Sequence, residues 1–223
     1  MKKFGLILLT LTALAACSKG RYEDYDTLGG HTYITGGSVG RSYMMSIADD
    51  LMAGVLDEMV LARETQKSGA TASSHFKING NFNAPGSEWS VYSETSLFKG
   101  LTIRCAEENF WGISYEGDFP IYGVFYPTTF TMTATLEESG AWKLFLNGAR
   151  EERGGYHCTF ETRAGQNSDS RMVFQNTLGT GVSGWNRIKG DLFLTVYKNK
   201  EVVDVSRLSF NGTPSQATYT RGL

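Results

Sequence analysis

Near residue 75 the spacing of apolar side chains changes from a period of about 3.6 to one of about 2, and the shorter period persists almost to the carboxyl end. Such a switch commits most of the chain to β-sheet. Phe130, Met132, Ala134 and Leu136 alternate with Thr131, Thr133 and Thr135, the pattern of a half-buried strand with β-branched threonines on its wet side. Trp142, Leu144 and Leu146 follow a Glu138-Ser139-Gly140 turn, which predicts a hairpin, and Asn147-Gly148 reads as the next turn. Further strands are predicted at Trp89–Thr95, Leu101–Cys105, Phe110–Tyr115, Tyr156–Thr162, Met172–Gln175, Leu192–Tyr197 and Val202–Phe210. The short connections leave no room for helical crossovers, so the sheet is an antiparallel meander and a parallel nucleotide-binding sheet is excluded. With 26 glycines and only 4 prolines the chain is well supplied for tight turns.

Before the switch, one helix is predicted over about 42–63. Met44, Ile47, Ala48, Leu51, Val55, Met59 and Ala62 form a single stripe, which Met45, Met52, Leu56 and Val60 widen. Ser46, Asp49, Asp50, Asp57 and Glu58 are assigned to the opposite, wet side. Leu192, Leu194 and Val196 face one way while Phe193 and Tyr197 face the other, so both faces of that strand need cover, and the helix is the economical candidate. The predicted fold is therefore mainly β: an antiparallel meander forming a sandwich or a lipocalin-like barrel, with one N-terminal amphipathic helix packed on the sheet. Residue patterning leaves barrel and sandwich both open.

The amino end begins with Lys2 and Lys3, followed by an apolar run from Phe4 to Ala16 that is short for a membrane span. Its junction, Leu14-Ala15-Ala16-Cys17, resembles the lipobox of bacterial lipoproteins. The resemblance covers about the first twenty residues. It implies a signal peptide over 1–16, cleavage before Cys17, and acyl chains such as palmitate on that cysteine as a membrane anchor. Ser18 stands where an aspartate would resemble an inner-membrane retention signal, so the resemblance implies the outer membrane, with periplasmic face and cell surface both open. Residues Lys19 to Asp26 are similar to the charged tethers of Bacteroidota surface lipoproteins, and Asp26-Thr27-Leu28 resembles that phylum's O-glycosylation sequon, with Thr27 as acceptor. Glycines at 29, 30, 36, 37 and 40 make 17–40 a tether, leaving 41–223 as a single domain with its β-rich region over about 75–220.

The search for chemistry gives little. His31, His75 and His157 lie far apart and predict no metal site, and no cofactor-binding pattern emerges. Gly179-Thr180-Gly181-Val182-Ser183-Gly184 matches a dinucleotide fingerprint literally, but no helix pattern follows it. Export places Cys105 and Cys158 where disulfides persist, and both share the phase of the core face, so parity permits a bridge between them. Glu107, Glu108, Glu116 and Asp118 lie near Trp111 and Tyr115, as paired acids do in a glycosidase. Trp185, beside Asn186 and Arg187 in a Gly-rich stretch, is the candidate exposed aromatic for ligand contact.

A formal net charge of −2 with scattered cations gives no footing for nucleic acid. Three classes of function remain. The favoured one is a non-catalytic, lipid-anchored binding or assembly module of the outer membrane, its partner a glycan, peptide or protein. The alternatives are a lipocalin-like carrier of an apolar ligand and an envelope or glycan hydrolase acting through Glu116 and Asp118.

Overall fold

The structure, a computed structural model, describes residues 37–138, 140, 142–163, 172–174, 188–211 and 217–222. It opens with helix α1 (Gly37–Ser46), which passes through a π-helical turn over Ile47–Ala53 into helix α2 (Gly54–Lys67). Ser46, Ala53 and Gly54 all keep right-handed helical dihedrals, so the three runs form one continuous helix. The expected apolar stripe is buried, with Met44, Ile47, Ala48, Leu51, Val55, Met59 and Ala62 all inaccessible to solvent. Three successive residues, Leu51, Met52 and Ala53, are also buried, which requires protein around more than one side of the helix.

The sheet supplies that surround. Its strands are β1 (Phe76–Asn79), β2 (Glu88–Val91), β3 (Thr102–Glu107), β4 (Phe110–Ile121), β5 (Val124–Leu136), β6 (Trp142–Glu152), β7 (Tyr156–Glu161), β8 (Met172–Phe174), β9 (Ile188–Lys198), β10 (Glu201–Asn211) and β11 (Thr218–Arg221). All pairings are antiparallel, in the order β1-β2-β3-β4-β5-β6-β7-β9-β10-β11. β8 pairs with β6 and β9, the same two neighbours as β7, so β7 and β8 share one lane of the sheet. The sheet ends at β1 and β11 without closing, which makes the fold sandwich-like rather than a sealed barrel. It is nevertheless strongly curled. The π-helical turn touches both β4 and β9. In a flat sheet those strands would stand about 19 Å apart at the usual spacing, against a helix diameter of about 10–12 Å.

The concave face and the helix share one core. Trp89, Trp111 and Trp142 all point into it, as their strand phase predicts, and Phe82 stacks on Trp111 with ring centroids 5.1 Å apart. The indole N–H groups of Trp89 and Trp111 donate to the carbonyls of Gly80 and Phe82 at 3.1 and 2.8 Å, so neither buried donor is orphaned.

Four expectations are corrected. Asn147-Gly148 is no turn: both lie mid-strand in β6, where Gly148 pairs with Phe130 on one side and Phe160 on the other. The strand begun at Trp89 stops at Val91, and the short strands β1 and β11 carried no alternation long enough to mark them. The outer face of β9 is covered by cations and a ring rather than by the helix. Arg163 lies 4.6 Å from the centroid of Phe193, and His157 stacks on Tyr197 at 4.5 Å. Finally, Ser46 and Glu58 are buried, not wet. Glu58 accepts from Ser96 at 2.8 Å and meets His75 Nε2 at 2.6 Å, so its carboxylate ties the helix to the β2–β3 loop and to the segment entering β1.

Candidate functional site

A cleft of about 550 Å³ opens where the first half of the helix meets the β4–β5 turn, a volume within the usual range of ligand sites. The helix contributes Arg41, Met45, Ser46, Asp49 and Asp50 to its lining. Leu97 comes from the β2–β3 loop and is about half exposed. Its neighbour Phe98 is buried and anchors that loop. The Phe98 ring presses against Gly54, where an added Cβ would lie 2.7 Å from a ring carbon. Pro120 and Tyr122 complete the wall from the end of β4 and the turn.

Three locally costly features meet at this cleft. The first is the π-helical turn itself, which carries Asp49 and Asp50; such turns are rare and often functional. The second is Tyr122. Ile121 pairs with Val124, so the β4–β5 connection is the two-residue turn Tyr122-Gly123, with positive φ at both positions (53° and 76°). That pattern is met by Asn-Gly in most hairpins, and a bulky aromatic there is strained. The Tyr122 amide donates to the Ser46 hydroxyl at 2.8 Å, and Ser46 in turn donates to Asp50, so the helix grips the strained turn. The third is Asp50, whose carboxyl burial pushes above its ordinary value, opposed by hydrogen bonds from Ser46 and the Tyr122 backbone.

A second polar cluster lies inside the curl. The Arg150 guanidinium, 2% exposed, donates to Glu152 Oε1 at 2.9 Å, to Thr128 Oγ1 at 3.3 Å and to the carbonyls of Phe119 and Val124. Tyr43 from α1 donates its hydroxyl proton to the same Glu152. Cys158 Sγ lies 3.4 Å from the Tyr43 oxygen; because that proton is already committed, the thiol is the donor. Burial, chiefly, holds the Tyr43 phenol well above its ordinary value and pushes Cys158 up to about 12. The cluster clips the helix to β6 and β7 and leaves Cys158 chemically quiet. At pH 8 a pKa near 12 leaves about one thiolate in ten thousand. A thiol-specific reagent at that pH is therefore expected to leave Cys158 unmodified in the folded protein and to label it after denaturation. Prompt labelling of the folded protein at Cys158 would contradict the network.

The residues singled out in the sequence fare differently. Cys105 and Cys158 are both buried free thiols, the former donating to the Glu107 carbonyl at 3.1 Å, so the bridge that parity permits is not made. Parity places both thiols on one face, but β3 and β7 are separated by β4, β5 and β6. Glu116 and Asp118 stand exposed on the convex face of β4, whereas Glu107 and Glu108 lie beyond its other end. At about 3.3 Å per residue the two groups are about 20–26 Å apart, too far to act together on one glycosidic bond, whereas Glu116 and Asp118 are neighbours on one exposed face. Cys17, Thr27, Trp185, Asn186, Arg187 and the glycines from 179 to 184 lie outside the described residues. The cleft itself was missed. Asp49 and Asp50 read as the wet side of a helix, where the structure indeed has them half-buried and exposed, and the sequence signal for the cleft was a tyrosine standing before Gly123 where asparagine is the favoured turn residue.

Compared with known proteins, the chain matches no family model, no curated protein and no solved structure.

Proposed function

We propose that the protein is an outer-membrane lipoprotein, anchored through acylated Cys17, whose folded domain is a non-catalytic recognition module that binds through the cleft between α1 and the β4–β5 turn. The observation that carries the recognition reading is the gathering of two rare backbone features, the π-helical turn and the left-handed Tyr122, around one cleft that also holds the Asp50 carboxyl. Local strain and desolvation persist where function selects for them, and otherwise drift away. Carriage of an apolar ligand is less favoured because the helix and the inward aromatics occupy the concave side of the sheet, where a lipocalin-like carrier holds its ligand. The anchor rests on the resemblance of Leu14-Ala15-Ala16-Cys17 to a lipobox.

Two measurements test this reading. Cys17→Ser should move the protein from the membrane fraction to the soluble one and remove the mass of the acyl chains; a membrane-bound Cys17→Ser variant would overturn the anchor. Asp50→Asn tests the cleft, because its amide oxygen can still accept from Ser46. The folded-state pKa of Asp50 lies above its ordinary value of 3.8, so the stability it contributes is complete below 3.8 and is lost as pH rises through the folded value. At neutral pH the ionised group is a burden, and Asp50→Asn should raise the melting temperature, with the gain shrinking as pH falls towards 3.8. A variant less stable than the parent at neutral pH would make Asp50 an ordinary structural acid.

A further inference from the structure

We infer that the end of the sheet around this cleft docks on a zwitterionic lipid surface, that of the membrane holding the Cys17 anchor. This rests on the anchored recognition reading and names the surface recognised. The register fixes which connections share that end. Because every pairing is antiparallel, the chain reverses there between β2 and β3, β4 and β5, β6 and β7, and β9 and β10. Tyr92 and Leu97 stand 48% and 53% exposed in the first of these connections, and Phe125 stands 56% exposed beside the second. Val202 and Val203, 56% and 47% exposed, follow the last. At the opposite end, where β1, β3 and β5 turn into their successors, no large apolar side chain is exposed among the described residues. The one remaining exposed side chain of this kind, Leu61, lies on α2. Exposed apolar groups gathered at one end of a fold mark an interaction surface.

Two observations commit that end to lipid. The first is where the chain from the anchor arrives. Helix α1 begins at Gly37, about 6 Å along the helix from Arg41, which lines the cleft together with Leu97 and Tyr122. Gly37 follows Cys17 by 20 residues, so even at full extension it lies within about 70 Å of an acylated Cys17. A link of that length keeps the domain at high effective concentration over the membrane, and a few apolar contacts then suffice to dock it. The second is the form and charge of the rim. Its apolar groups project from three separate connections instead of lining one groove, which suits a deformable lipid surface better than a shaped peptide. The charges between them are mixed, Lys99 pairing with Glu94 at 2.6 Å and Lys198 and Lys200 standing beside Glu201. Anionic lipid is drawn by an excess of cations, and this end has none, so the contact is an apolar one with zwitterionic headgroups. Tyr122 also gains a use: an amphipathic ring at a turn tip is suited to the boundary between headgroups and water, where asparagine gains nothing.

The test places a nitroxide on the acylated full chain in vesicles of dioleoylphosphatidylcholine, at Leu97→Cys, Phe125→Cys, Val203→Cys and, at the opposite end, Glu138→Cys, one position at a time. Cys105 and Cys158 are 3% and 0% exposed, which keeps the label on the introduced cysteine. Lipid contact is read as the ratio of collisions with oxygen to collisions with a water-soluble nickel chelate. That ratio should be about fivefold higher at Leu97, Phe125 and Val203 than at Glu138, which should keep the value of a label in water. Adding Leu97→Ser and Phe125→Ser should return the Val203 label to the water value while leaving the melting temperature unchanged, since both side chains are exposed. Mixing dioleoylphosphatidylglycerol into the vesicles should leave the contact unchanged or weaken it. Water-like values at all four positions, on vesicles that carry the protein, would overturn the docking and leave the anchor standing. Lipid contact at Glu138 in place of Leu97 would overturn the assigned end, and a gain of contact on phosphatidylglycerol would overturn the zwitterionic surface. Protein that fails to float with the vesicles, or whose intact mass lacks acyl chains, would overturn the anchor and this inference with it.

Discussion

Glu152→Ala is expected to destabilise the domain by about 3–5 kcal/mol, enough to unfold a protein whose total stability is typically about 5–15 kcal/mol. The reason is what it leaves behind. Arg150 is 2% exposed, and Glu152 is its ion-pair partner at 2.9 Å. Without the carboxylate, the guanidinium keeps the carbonyls of Phe119 and Val124, Thr128 Oγ1 at 3.3 Å and the Tyr126 ring 5.2 Å away, but its charge is uncompensated in a poorly solvated site. Tyr43 simultaneously loses the acceptor for its buried hydroxyl. Removing both charges is a different matter. Arg150→Met combined with Glu152→Leu should recover most of the loss, since burying an ion pair in place of well-packed apolar groups gains little. Denaturant unfolding of the single and double variants measures the difference. A single variant costing less than about 1 kcal/mol would mean that water reaches Arg150 and the cluster is not a dry clip.

Gly148→Ala is expected to cost about 3 kcal/mol, the upper end of the usual range for overpacking. A Cβ at this position would lie 2.2 Å from one ring carbon of Phe160, 2.5 Å from another and 3.0 Å from the Phe130 Cβ. Phe160 is fully buried and Phe130 is 3% exposed, so neither ring has free space to retreat into. Phe160→Leu should be destabilising alone yet partly restore the Gly148→Ala variant, because the clash is with the far edge of the aromatic ring. A double-mutant cycle reads this as a coupling of opposite sign to the single effects. Strictly additive losses would show that backbone adjustment in β6, and not the ring, absorbs the added methyl.

The same glycine shows where sequence reasoning stops. Asn-Gly is the strongest short hairpin signal there is, and it is mistaken here because the alternative use of glycine, to admit a ring from the next strand, depends on Phe160 in β7, twelve residues away. Conversely, the real two-residue turn at Tyr122-Gly123 is hidden behind a residue that turns disfavour, and is held in place by Ser46 from a different element. Ser46 and Glu58 fall on the polar side of the helical wheel, yet the curl of the sheet wraps that side too and partners them with Tyr122, His75 and Ser96.

What the chain determines on its own is periodicity: the 3.6-residue stripe from Met44 to Ala62 makes a helix, the two-residue alternation after it makes antiparallel strands, and the inward phase of Trp89, Trp111 and Trp142 makes them core. These are local properties, because each follows from dihedral preferences and from which side of an element is apolar. Tertiary structure alone decided that the sheet curls without closing, that the helix lies within the curl, and that Asp50, Leu97 and Tyr122 meet at one cleft. Those outcomes depend on sheet twist and on contacts between residues far apart in the chain, neither of which leaves a mark on the spacing of apolar side chains.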